Sequence, residues 1–154
     1  MGIEKAVVEK LLEKNKKISA AESCTGGLVS QMLTSVPGSS GCLDLGIVTY
    51  ANEQKMKVLG VRAETLNSVG AVSEETALEM SAGIKRISGA DIGIGITGIA
   101  GPDGGSSEKP VGLVYIGICT EKEHRAFKYI FKGDRQSVRR QAAEEALRLA
   151  FERI

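Results

Sequence analysis

The sequence predicts an α/β fold: a three-layer α/β/α sandwich whose mixed, mostly parallel sheet is closed by a C-terminal hairpin. Three observations carry this. Short apolar, β-branched runs alternate with helical segments through the early part of the chain. Two β-type runs, 111–120 and 125–131, are separated only by the charged Glu121-Lys-Glu-His124, which makes them a hairpin. A last helix then carries an apolar stripe of Val138, Ala142, Ala146, Leu149 and Ala150. At 154 residues, 42% hydrophobic and 25% charged, the chain is expected to form one domain spanning 1–154.

The elements follow in order. Ile3, Ala6, Val7, Lys10, Leu11 and Lys14 have helical spacing, so the first helix covers 3–15. A buried strand at 17–21 leads through small polar residues into a helix at 28–36. Pro37-Gly-Ser-Ser-Gly41 is a loop by composition. Leu45-Gly-Ile-Val-Thr-Tyr50 reads as a strand. Asn52 is a suitable N-cap for a helix at 53–59, which Gly60 ends. A short helix at 63–69 follows. Ser73 with Glu74 and Glu75 opens a longer one, to Ser88, ended by Gly89. Asp91-Ile-Gly-Ile-Gly-Ile-Thr97 is a strand with one nearly bare face, against which a helix packs closely. Residues 98–110, rich in glycine and proline, are too long for a tight turn, and long loops often carry function. Asp134 is the N-cap of the last helix.

Composition excludes several classes. A net charge of +1 gives no field to recruit nucleic acid or an anionic membrane. No apolar run reaches membrane-spanning length, and the N-terminus lacks a signal peptide's apolar core. Cys24, Cys42 and Cys119 are three isolated cysteines, which suits free thiols in a reducing cytoplasm. With a single histidine, no metal site is expected. Gly93-x-Gly95-x-x-Gly98 matches the dinucleotide fingerprint by letter, but Pro102 and Gly104-Gly105 follow where a helix must start.

The candidate site is Glu22-Ser-Cys-Thr-Gly-Gly27. A strand that turns here into a helix leaves unpaired N–H groups at the helix start, which favour an anion or developing negative charge. Ser23 reads either as a helix cap or as a nucleophile that needs a base. His124 lies in a charged turn and suits the surface. Lys55, in the first turn of its helix, faces the positive end of the helix dipole, which favours the neutral amine a base requires. It also reads as one solvated lysine among many. Cys24 is a rival nucleophile or a small buried residue. Arg135 opens the last helix where it can reach a phosphate, and Arg139 and Arg140 read as a solvated face.

Taken together, Ala21-Glu-Ser-Cys-Thr-Gly-Gly27, Pro37-Gly-Ser-Ser40, Val48-Thr-Tyr-Ala-Asn-Glu-Gln-Lys55, Leu59-Gly-Val61, Gly70-Ala-Val-Ser73, Thr97-Gly-Ile-Ala-Gly-Pro102, Glu108-Lys-Pro-Val-Gly112 and Gly133-Asp-Arg135 resemble the CinA C-terminal domain family of nicotinamide-nucleotide amidohydrolases, in its stand-alone form. The resemblance runs in order from residue 3 to the end. It implies hydrolysis of the carboxamide of nicotinamide mononucleotide to nicotinic acid mononucleotide and ammonia, without metal or cofactor, in a cytoplasmic homo-oligomer. Its nucleophile falls on Ser23, its lysine base on Lys55, and a tyrosine on Tyr50 as a second proton donor. Its substrate contacts fall on Glu22, Thr25, Gly26, Gly27, Thr97, Gly98, Gly101 and Arg135, with Arg139 and Arg140 as neighbouring alternatives for the arginine. Ala51 stands where the family often has serine. A non-catalytic nucleotide-binding or competence-associated protein is the alternative, and it predicts binding without turnover.

Overall fold

The computed structural model describes residues 2–154. Five strands form one sheet in the order β2-β1-β3-β4-β5. They are β1 (Ile18–Glu22), β2 (Leu43–Val48), β3 (Ile92–Gly98), β4 (Leu113–Cys119) and β5 (His124–Ile130). Six α-helices accompany them, α1 (Ile3–Glu13), α2 (Leu28–Thr34), α3 (Asn52–Leu59), α4 (Ala63–Ser68), α5 (Glu74–Ser88) and α6 (Arg135–Phe151), with one 3-10 turn at Ser39–Gly41. β1 runs parallel to both β2 and β3, while β4 is antiparallel to β3 and β5. The sheet is therefore mixed, as expected, but its four pairings divide evenly and are not mostly parallel. The cause is local: β3 returns through the 98–112 segment directly into β4 with no crossover helix, and only a crossover makes neighbours parallel.

The period-two alternation in β3 decides what covers each face. Ile92, Ile94 and Ile96 point into the larger core, with Val7 and Leu11 of α1, Val29 and Leu33 of α2 and Val138, Ala142 and Leu149 of α6. Gly93 and Gly95 point the other way, against α5. A Cβ on Gly95 would stand 2.6 Å from the Ser81 amide nitrogen and 2.7 Å from the Ala77 carbonyl oxygen. On β4, a Cβ at Gly117 would stand 2.3 Å from that same Ala77 oxygen. The glycines let α5 approach the sheet closely, as the bare strand face predicts, and this use leaves no role for a dinucleotide fingerprint. Gly95→Ala is expected to destabilise the fold by roughly 1–3 kcal/mol, because the obstructing atoms are backbone and cannot rotate away. A melting temperature equal to that of the wild type would refute this packing argument.

Several ends are set by their caps. Ser73 accepts from the Thr76 amide, and Asp134 from the Ser137 amide, as their positions predict. α3 departs from expectation: Asn52 is its first helical residue, and Ala51 holds the N-cap position with no side-chain bond. β1 lies one residue later than expected and α2 ends two residues earlier.

Candidate functional site

Because β1 lies between two parallel neighbours, three carboxyl ends meet at one edge of the sheet. Glu22 is in register with Val48 of β2 and Ile96 of β3. The residues that follow, Ser23, Thr49 and Thr97, therefore emerge side by side, the place where open α/β sheets bind ligands. Two further backbone bonds extend the ladder: Ser23 N to Ile96 O at 3.0 Å and Thr49 N to Glu22 O at 2.9 Å.

Lys55 reaches this edge from α3. It is 1% exposed, the largest of the fully buried side chains. Its Nζ lies 3.0 Å from Ser23 Oγ, 2.8 Å from the Thr49 carbonyl oxygen and 2.9 Å from the Tyr50 carbonyl oxygen. No carboxylate is among these partners. Burial lowers its pKa from the usual lysine range, because a low-dielectric surrounding disfavours the charged form. With no carboxylate to hold an ammonium, burial favours the neutral amine. As an ammonium, Nζ donates to all three oxygens; in the neutral form two N–H groups would serve the carbonyls and the lone pair would face the Ser23 hydroxyl.

The turn that carries Ser23 is held from two sides. Glu22 is fully buried, and its Oε1 and Oε2 accept from the amides of Val29, at 3.0 Å, and Ser30, at 3.2 Å. Ser30 Oγ adds a bond to Oε2 at 3.3 Å. The carboxylate expected against a ligand is thus the N-terminal cap of α2, and it occupies the helix end that the sequence offers to an external anion. Ser23 is 8% exposed and is not that cap. Arg139 holds the other side: its Nε donates to the Cys24 carbonyl and its Nη2 to the Thr25 carbonyl, each at 3.1 Å. Gly26 and Gly27 adopt φ of +59° and +100°, left-handed values that glycine accepts freely. Thr25 is fully buried, and its hydroxyl has no partner among the described residues. Cys24 faces the larger core, and burial pushes its thiol up to about 11, so it stays protonated and unreactive at neutral pH.

The remaining expected residues form the rim. Thr97 is buried, and its hydroxyl donates to the Ala71 carbonyl at 2.7 Å, which ties β3 to the approach of α5. A Cβ on Gly98 would stand 2.7 Å from the Leu113 carbonyl oxygen, so this glycine serves the β3–β4 approach. The Gly101 carbonyl accepts from Arg135 Nη1 at 2.7 Å, and Arg135 Nη2 donates to Tyr50 Oη at 3.1 Å. Arg135 therefore links the glycine-rich loop to the segment after β2. Tyr50 as a whole is 58% exposed. What Tyr50 gives to Lys55 is its main-chain carbonyl, while its hydroxyl oxygen accepts from Arg135 and keeps its own proton.

Two parts of this arrangement escaped sequence reasoning. Arg139 lies one helical turn after Arg135, where spacing alone reads a solvated face. The Thr49 and Tyr50 carbonyls are main-chain groups and carry no residue signature. Among the described residues no three histidine, cysteine or acidic side chains converge as a metal site, and no helix is long and apolar enough to cross a membrane.

The model of the CinA C-terminal domain matches residues 1–154. The chain belongs to the CinA C-terminal domain family. A CinA-like protein of Anaeromyxobacter sp. is 51% identical over 143 residues, which is 93% of this chain and 35% of that protein. One of Endomicrobium trichonymphae is 50% identical over 139 residues, 90% of this chain and 32% of that protein. The chain thus spans about a third of the length of these curated relatives. Solved structures match along most of their length. A CinA superfamily protein of Klebsiella pneumoniae superposes with a TM-score of 0.94 at 37% identity, covering 98% of this chain and 94% of the other. One from Escherichia coli gives 0.94 at 31% identity, covering 99% and 88%.

Proposed function

We propose that the chain hydrolyses the carboxamide of nicotinamide mononucleotide, with Ser23 as nucleophile and Lys55 as its base. The observation that carries this reading is the contact of 3.0 Å between a fully buried amine and a serine hydroxyl, with both other amine partners backbone carbonyls. A structural lysine would be paired with a carboxylate or would extend to solvent. The nucleotide part of the substrate rests on the family resemblance and on Arg135, a fixed cation at the rim suited to a phosphate.

In this mechanism neutral Lys55 takes the Ser23 proton as Oγ attacks the amide carbonyl. Negative charge grows on the carbonyl oxygen, and main-chain N–H groups of the Ser23 turn stabilise it. Lys55, now an ammonium, returns its proton to the leaving nitrogen, and ammonia departs. The product at this stage is an ester on Ser23. Water attacks that ester with Lys55 again as base, and Ser23 leaves with its proton restored. Glu22 and Thr97 act by holding the turn and the strand end.

The lowered Lys55 pKa fixes the sign of the pH response. Turnover needs the neutral amine, so kcat/KM is expected to fall as pH drops through that pKa, and to level off above it. Stability moves in the same direction. Between the lowered folded pKa and the ordinary lysine value the unfolded chain binds more protons, so stability rises with pH there. Lys55→Met is expected to remove that slope from a pH series of melting temperatures.

The direct test is ammonia release from nicotinamide mononucleotide by chelator-treated protein, beside Ser23→Ala. Release by the wild type alone supports the reading. Saturable binding of the nucleotide with no release would point to a binding protein.

A further inference from the structure

We infer that Arg139 is a positioning residue that fixes the backbone of the turn presenting Ser23, an inference that rests on the amidase reading above. A peptide unit is planar and trans, so each carbonyl points opposite to the following N–H. Arg139 Nε draws the Cys24 carbonyl toward α6, which turns the Thr25 N–H to the opposite side of the turn. Among the described residues no acceptor meets that N–H. Arg139 Nη2 does the same to the Thr25 carbonyl, and the Gly26 N–H that it turns is taken by the Ser23 carbonyl at 3.0 Å. One guanidinium therefore sets two successive peptide planes. The turn is closed by the Gly26 amide on the Ser23 carbonyl, and the backbone that carries the nucleophile is held in one arrangement.

The arginine is itself fixed. Its Nη1 donates to Gln136 Oε1 at 2.7 Å, one turn earlier on α6. The turn is shaped to receive it: a Cβ on Gly26 would stand 3.2 Å from Arg139 Nη2, and φ there is +59°. Three of its five N–H donors meet acceptors of this chain, two of them carbonyls of the Ser23 turn. Arg139 acts through the backbone and touches no substrate.

The test is steady-state turnover of nicotinamide mononucleotide by Arg139→Met and Arg139→Gln, beside the wild type, with rates normalised to folded protein. Arg139→Met is expected to lower kcat by about 10- to 100-fold, with KM nearly unchanged. The acid limb of its pH profile should stay in place, because Lys55 is untouched. Arg139→Gln keeps an amide donor for one carbonyl without the charge, so part of kcat should return; it also decides the matter if the methionine variant fails to fold. A wild-type kcat in either variant would overturn the inference. So would a loss confined to KM, or one that vanishes on normalisation. Absence of ammonia release from the wild type would remove the amidase reading itself, a distinct outcome.

Discussion

Ser23→Ala is expected to lower ammonia release from nicotinamide mononucleotide by on the order of 10⁴-fold or more while nucleotide binding is kept. The loss is large because the covalent step disappears altogether: alanine has no oxygen to form the ester. Binding should survive because the surroundings of Ser23 are set by other residues. The turn is held by the Glu22 carboxylate on the α2 amides and by Arg139 on the Cys24 and Thr25 carbonyls. None of these involves the serine hydroxyl. Calorimetric titration of the alanine variant, beside its turnover, separates the two effects. Retained turnover would remove the nucleophile assignment. Cys24 is no substitute, since its thiol is protonated at neutral pH and directed into the core.

The second large effect is at Lys55. Lys55→Met is expected to lower kcat by about 10³-fold, within the range for loss of a positioned base. Methionine has similar length and no proton-accepting nitrogen, so the pocket stays filled while the chemistry stops. The Thr49 and Tyr50 carbonyls lose their donors, which costs stability, but a buried amine is removed as well, which restores some. Turnover near wild-type rates in this variant would refute the assignment. An arginine there is no repair, because it stays protonated at any working pH.

How far the sequence could be read depended on whether a feature sits in side-chain pattern or in main-chain path. The glycine alternation of β3 foretells a helix packed against it, because Gly93 and Gly95 leave a face with no side chains. The caps at Ser73 and Asp134 are legible because a short polar side chain one residue before a helix has one common use. The even split of the sheet was less accessible, since it depends on whether 98–112 crosses over or returns. At the site, Ser23 and Lys55 stand out by residue type. Glu22 shows the limit: its chemistry suggests ligand contact, yet its carboxylate is turned to α2. Arg139 is the converse, a side chain that spacing assigns to solvent and the fold assigns to two carbonyls.

α3 buries only two side chains fully, Lys55 and Leu59, and its first turn has no capping side chain. The base therefore rides on a short, thinly anchored helix, while the nucleophile sits in the turn that directly follows β1, a strand buried along its whole length. Elements with few buried contacts open at lower free energy than the core. Warming should separate the two before the sheet melts. Catalysis would then have its own switch-off temperature, below the global unfolding midpoint and recoverable on cooling.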